Sequence, residues 1–125
     1  MIYGIGIDII EIDRIKDSVD RFGDTFLNKV FTQTEINYSL SKANKYQHLA
    51  ARFAAKEAIA KALSFKGDKG FHWKDIEIYN ESNGMPSVTL FNSLKEILGE
   101  DKELKITMSH SQNYVTCFAI ISTKN

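Results

Sequence analysis

The chain has 125 residues, 43% hydrophobic and 26% charged, a size and balance that allow one core without disulfides or a structural metal. Its 16 Lys and Arg cancel its 16 Asp and Glu, so net charge points to neither a nucleic-acid nor a membrane partner. A single cysteine, Cys117, excludes a disulfide framework within the chain, and the longest apolar run, Cys117 to Ile121, is far too short to cross a bilayer; the expectation is one cytoplasmic domain, 1–125.

Ile2 to Ile10 alternate, with Ile5, Ile7 and Ile9 on one face and Gly4, Gly6 and Asp8 on the other. That pattern predicts a strand whose isoleucine face is core and whose glycine face is nearly bare. Asp8, a lone carboxylate among glycines, is open to a ligand or metal, or is an exposed residue at a strand end. An amphipathic helix follows from about Ile12 to Phe22, with Ile12, Ile15, Val19 and Phe22 on one side and Gly23 as its stop. Arg14 and Arg21 share an azimuth on it, diluted by Asp13, Asp17 and Asp20. Asp24 is placed to cap a short helical turn carrying Phe26, Leu27, Val30 and Phe31. Thr32 to Glu35 then matches a capping box that starts a helix through Ile36 and Leu40.

After a polar break at 41–44, a long helix is predicted from about Lys45 to Phe65, with Gly67 and Gly70 in the loop beyond it. Its centre is almost all alanine, apart from the i,i+4 pairs Arg52/Lys56 and Glu57/Lys61. From Lys42 to Lys74 there are eight Lys or Arg against two acids, a net charge of +6 that suits an anionic ligand or a solvated face. Lys74 to Asn80 reads as a strand, Asn83-Gly84 as a turn, and Pro86 as the start of a second strand through Val88 and Leu90. A short helix, Asn92 to Leu98, ends at Gly99. Lys105 to His110 and Tyr114 to Ser122 form a terminal strand pair. This order predicts an α+β domain in which a helical block covers a largely antiparallel sheet, the first strand pairing with the last ones.

No cysteine cluster or helical histidine pair suits zinc. Two separated carboxylates, Asp8 on a strand and Glu57 on a helix, suit a hard cation that keeps waters and shares phosphate oxygens, as Mg²⁺ does. Lys61 and Arg52 are placed to bind the same phosphates. The competing interpretation of Glu57 and Lys61 is an i,i+4 surface ion pair worth a few tenths of a kcal/mol. His110, between two serines, is either a phosphate donor or a polar turn residue. No glycine-rich phosphate loop is present.

Taken together, Gly6-Ile7-Asp8, the helix from Arg52 to Ala62, the turn Asn83-Gly84-Met85-Pro86 and Ser109-His110-Ser111 resemble the 4′-phosphopantetheinyl transferases, in particular their short, single-domain holo-[acyl-carrier-protein] synthase type. The resemblance spans nearly the whole chain. It implies transfer of 4′-phosphopantetheine from coenzyme A to a serine of apo acyl carrier protein, in support of fatty acid biosynthesis. It further implies Mg²⁺ on Asp8 and Glu57, and Glu57 or a water ordered by it and the metal as the base, with Lys61 beside the leaving phosphate. Arg52, Lys61, His110, Asn83, Gly84 and Pro86 would bind coenzyme A, and Arg14 and Arg21 would dock the carrier protein. Such members are homotrimers with sites at subunit interfaces. Two features depart from the pattern: Ser64 and Lys66 stand where glycines are usual, and acidic Asp17, Asp20 and Asp24 interrupt the docking helix. Outside this resemblance, two other functions use the same residues, a non-catalytic nucleotide- or acidic-protein-binding module and a metal-dependent pyrophosphate hydrolase.

Overall fold

A computed structural model describes residues 1–63 and 72–124. The expected helix end at Phe65, the loop glycines 67 and 70, and the departures at Ser64 and Lys66 lie outside the described residues.

Strand β1 (Ile2–Glu11) runs directly into helix α1 (Ile12–Phe22), which stops at Gly23 as its sequence predicts. Helix α2 (Asp24–Val30) leads to Thr32, which caps α3 (Gln33–Leu40). The capping box is complete: the Thr32 hydroxyl accepts from the Glu35 N–H, and the Glu35 carboxylate accepts from the Thr32 N–H. Helix α4 (Lys45–Ala62) follows. A 3₁₀ turn, Trp73–Asp75, occupies the start expected for the next strand, so β2 (Ile76–Asn80) begins two residues late. It turns through Gly84 into β3 (Pro86–Leu90); α5 (Asn92–Leu98), β4 (Lys102–His110) and β5 (Tyr114–Thr123) complete the chain.

The architecture is α+β, with its strands in two antiparallel sheets rather than one. Strand β5 lies between β1 and β4, while β2 and β3 form a separate hairpin. Helix α4 lies across β1 and β5 and forms the centre of the core, with Leu49, Ala50, Ala54, Ala55, Ala58, Ile59 and Ala62 fully buried. Val115, Cys117, Ala119 and Ile121 meet it from β5.

The faces of β1 are the reverse of those its alternation predicts. Ile5, Ile7 and Ile9 are 59%, 61% and 65% exposed, while Gly6 is buried. The cause is backbone contact between strand and helix. A Cβ on Gly6 would lie 1.9 Å from the Ala58 carbonyl oxygen, and one on Gly4 1.9 Å from that of Ala62. Glycines on the strand and alanines on the helix let the two backbones meet, which no isoleucine permits. The isoleucines therefore form an uncovered apolar sheet face with Phe118, the register partner of Ile7. The alanines of α4 are consequently core packing, not a low platform for a ligand. Cys117 is fully buried, and burial, with Asp8 adding to it, pushes its thiol up to about 12.

Candidate functional site

Between α4, the β2–β3 hairpin and the end of β4 lies a cleft of about 490 Å³, lined among others by His48, Arg52, Asn80, Gly84, Pro86, Ser109 and His110. Four of the residues predicted to bind coenzyme A, Arg52, Gly84, Pro86 and His110, thus converge from three separate parts of the chain. Asn83 supports the turn from beside the cleft: its side-chain oxygen accepts from the Met85 N–H at 3.0 Å. Gly84 has φ +87, a conformation that glycine adopts without strain. Its carbonyl accepts from the Asn80 amide at 3.2 Å, holding the turn onto the strand.

Arg52 is the least expected member in its environment. It is only 2% exposed, its guanidinium donates to Asn80 Oδ1 at 2.9 Å and to the His48 carbonyl at 3.4 Å, and it stands 4.5 Å from the Tyr38 ring centroid. Its Nε–H, also buried, has no partner. Burial lowers the Arg52 pKa, opposed by Glu35 and Tyr38. A buried guanidinium with a donor unspent departs from the usual pairing of buried polar groups. The pKa of His48 is lowered by burial first, then by its electrostatic neighbours Arg52, Lys42 and His110. Sequence reasoning assigned no chemistry to His48 or Asn80. The i,i+4 spacing of His48 and Arg52 on one helix face was the available signal for the first; nothing local marked the second.

A second group lies where β1 meets α4. Lys61 Nζ donates to the Ile7 carbonyl at 2.9 Å and lies 3.5 Å from Asp8 Oδ1, with the Lys61 side chain about half exposed. Glu57, half-buried one turn before Lys61, has its pKa raised by burial first and by Asp8 next, with Lys61 opposing. Two mutually repelling carboxylates are thereby gathered with one cation. The predicted surface pair Glu57/Lys61 is instead part of a triad with Asp8, and the cation's ion pair within 4.0 Å is with Asp8. No group of three or more His, Cys, Asp or Glu side chains able to hold a metal occurs among the described residues. Asp8 and Glu57 are the carboxylates of this triad that could hold a cation. Lys61 also borders a shallow depression with Ile5, Ile7 and Phe118 on the uncovered sheet face.

The basic segment is not one surface. Lys56 is wholly buried and paired with Glu35 at 2.8 Å, so it is unavailable to an external ligand. Burial lowers its pKa and Glu35 opposes that shift. Arg14 and Arg21 stand exposed on α1 and do not line the cleft.

Comparison with known proteins finds relatives over nearly the whole chain. A family model described as the 4′-phosphopantetheinyl transferase superfamily matches residues 4–119. A holo-[acyl-carrier-protein] synthase of Thermodesulfovibrio yellowstonii is 48% identical over 122 residues, covering 98% of this chain and all of the relative. One from Chlamydia trachomatis is 49% identical over 118 residues, covering 94% and 98%. Among solved structures, the holo-[acyl-carrier-protein] synthase of Neisseria meningitidis superposes with a TM-score of 0.88 at 32% identity, covering 98% of this chain and 100% of that one. That of Bacillus anthracis, in complex with CoA (3′,5′-ADP), gives a TM-score of 0.81 at 29% identity, covering 99% of both chains.

Proposed function

The chain belongs to the 4′-phosphopantetheinyl transferase superfamily, and on that premise we infer that it is a holo-[acyl-carrier-protein] synthase, transferring 4′-phosphopantetheine from coenzyme A to a serine of apo acyl carrier protein. The observation that carries this reading is the cleft in which buried Arg52, with its unspent N–H, faces His110 and the Gly84–Pro86 turn. A ligand with several phosphates suits the positive charge gathered around that cleft.

In this reading Arg52 and His110 hold phosphates of coenzyme A, and Asn83, Gly84 and Pro86 form the wall beside its nucleotide. Asp8 and Glu57 would hold Mg²⁺, and their mutual repulsion supports the assignment because a cation relieves it. When bound, the ion supplies positive charge to the pyrophosphate during displacement. The carrier serine oxygen attacks the β-phosphorus, the bond to the bridging oxygen breaks, and adenosine 3′,5′-bisphosphate leaves. Glu57, or a water it orders, takes the serine proton. Lys61 faces the charge that develops on the leaving phosphate.

The same reading includes a single domain over 1–125, supported by one continuous core, and a homotrimer with sites at subunit interfaces. Support for the trimer is the uncovered face of Ile5, Ile7, Ile9 and Phe118, which borders Lys61. Exposed Arg14 and Arg21 suit docking of an acidic carrier protein. No helix among the described residues is long and apolar enough to cross a membrane. A cytoplasmic setting fits a reaction whose substrate and product both carry free thiols. The test is incubation with apo acyl carrier protein, coenzyme A and Mg²⁺, read by mass spectrometry. The carrier gains one phosphopantetheine if the reading holds. Cleavage of coenzyme A without that gain identifies a hydrolase, and binding without cleavage a non-catalytic module.

A further inference from the structure

The hairpin that walls the cleft is a two-stranded sheet, so among the described residues each of its strands has an edge that no other strand pairs with. Strand β2 pairs on one side with β3. Along its other edge, Lys56 and Glu35 satisfy the groups that a neighbouring strand would otherwise take: Lys56 Nζ donates to the Ile76 carbonyl at 2.6 Å, and Glu35 Oε2 accepts from the Ile78 N–H at 2.8 Å. Two residues on, Asn80 accepts from Arg52. The three anchored residues alternate along the strand, and two of the three anchors, Arg52 and Lys56, come from one face of α4.

The Lys56 ammonium also donates to the carbonyls of Val30 and Trp73, each at 3.0 Å, and lies 2.8 Å from Glu35 Oε1. One charged group thus joins the end of α2, the 3₁₀ turn, β2 and α3. Both side chains are fully buried. Such pairs are often replaceable by apolar residues without loss of stability, so their directional bonds are the property that apolar packing does not supply. We propose that the Glu35–Lys56 pair is a positioning device for coenzyme A: it fixes where β2 and the Gly84–Pro86 turn stand relative to Arg52. It therefore governs affinity for that substrate rather than turnover. Asp8 is held independently, through β5 and the contact of Gly4 and Gly6 with α4. This rests on the transferase reading above.

The test uses Glu35→Gln and the double variant Glu35→Met/Lys56→Met, the latter removing both charges of the pair together. Steady-state kinetics with apo carrier protein are combined with calorimetric titration of coenzyme A alone. Both the KM and the Kd for coenzyme A rise about tenfold or more, while kcat stays within about twofold and the KM for carrier protein is unchanged. A merely structural pair lowers the active fraction, so that kcat falls and both KM values hold; that result overturns the proposal. Where Glu35→Gln does not fold, a parental Kd for coenzyme A in the double variant overturns it equally. If the parent binds coenzyme A but transfers nothing, the transferase reading fails, and the comparison of Kd values still decides the positioning role.

Discussion

Replacing Gly6 with alanine tests how tightly the site depends on the contact between β1 and α4. The added Cβ would stand 1.9 Å from the Ala58 carbonyl oxygen and 2.9 Å from the Ala58 carbonyl carbon and the Ala62 nitrogen. All three are backbone atoms, so no side chain can swing aside. Reaching even 3.0 Å from the oxygen requires strand and helix to part by about 1.1 Å. Overpacking of this kind costs about 3 kcal/mol, which outweighs the ~0.4–1 kcal/mol that alanine gains by stiffening the unfolded chain. In a domain of this size the melting temperature should fall by about 10 °C. The displacement also separates Asp8, two residues along the strand, from Glu57 and Lys61 on the helix. A misplacement of about 1 Å lowers kcat on the order of 10²-fold. Calorimetry and phosphopantetheine transfer measured on the folded fraction provide the two readouts. A variant that melts within about 2 °C of the parent and keeps full turnover would refute the close contact on which the reasoning stands.

Glu57→Gln should lower kcat by about 10²–10⁴-fold with little change in the KM for carrier protein. Because the folded-state pKa of Glu57 is raised, the stability this group contributes is intact below its ordinary value of 4.5 and is lost as pH rises through the folded value. Melts of metal-free protein across that window should show the loss in the parent and not in the Gln variant; parallel curves would contradict the raised pKa. Reversing both Arg14 and Arg21 to glutamate should raise the apparent KM for carrier protein and leave that for coenzyme A almost unchanged, whereas equal effects on both count against α1 as the docking face. Ile7→Lys places a charge at the centre of the exposed apolar face and should reduce the sedimenting mass to that of a monomer, with activity falling alongside; an unchanged assembly removes that face from the interface.

Local signals in the sequence carried much of the fold. The bounds of α1, the Thr32 capping box, the Asn83-Gly84 turn and the Gly99 stop are each written in adjacent residues, and the structure reproduces them. The faces of β1 were misread because alternation assigns the larger apolar residue to the core. Here the covering element is an alanine helix that accepts only glycines, and the isoleucines serve another surface. Lys56, counted in a basic segment that suited an anionic ligand or a solvated face, is neither, because its partner, Glu35, lies 21 positions earlier, beyond the reach of any helix-spacing rule. Glu35 itself was legible as a cap, and its second carboxylate oxygen serves β2 at the same time. Arg52, Gly84, Pro86 and His110 were identifiable by motif, but the cleft they form depends on a hairpin whose docking on α4 leaves no trace in either segment alone.

Cys117 lies in the middle strand of the three-stranded sheet, in register with Asp8 on one side and Met108 on the other. With its thiol pushed up to about 12 and no exposed surface, it stays protonated and out of reach at neutral pH. A protein that works among coenzyme A thiols and their disulfides thus keeps its only sulfhydryl out of the exchange. The same seclusion turns Cys117 into an internal clock. Alkylation can proceed only when the sheet opens, so its rate under native conditions counts how often the strand beneath Asp8 lets go.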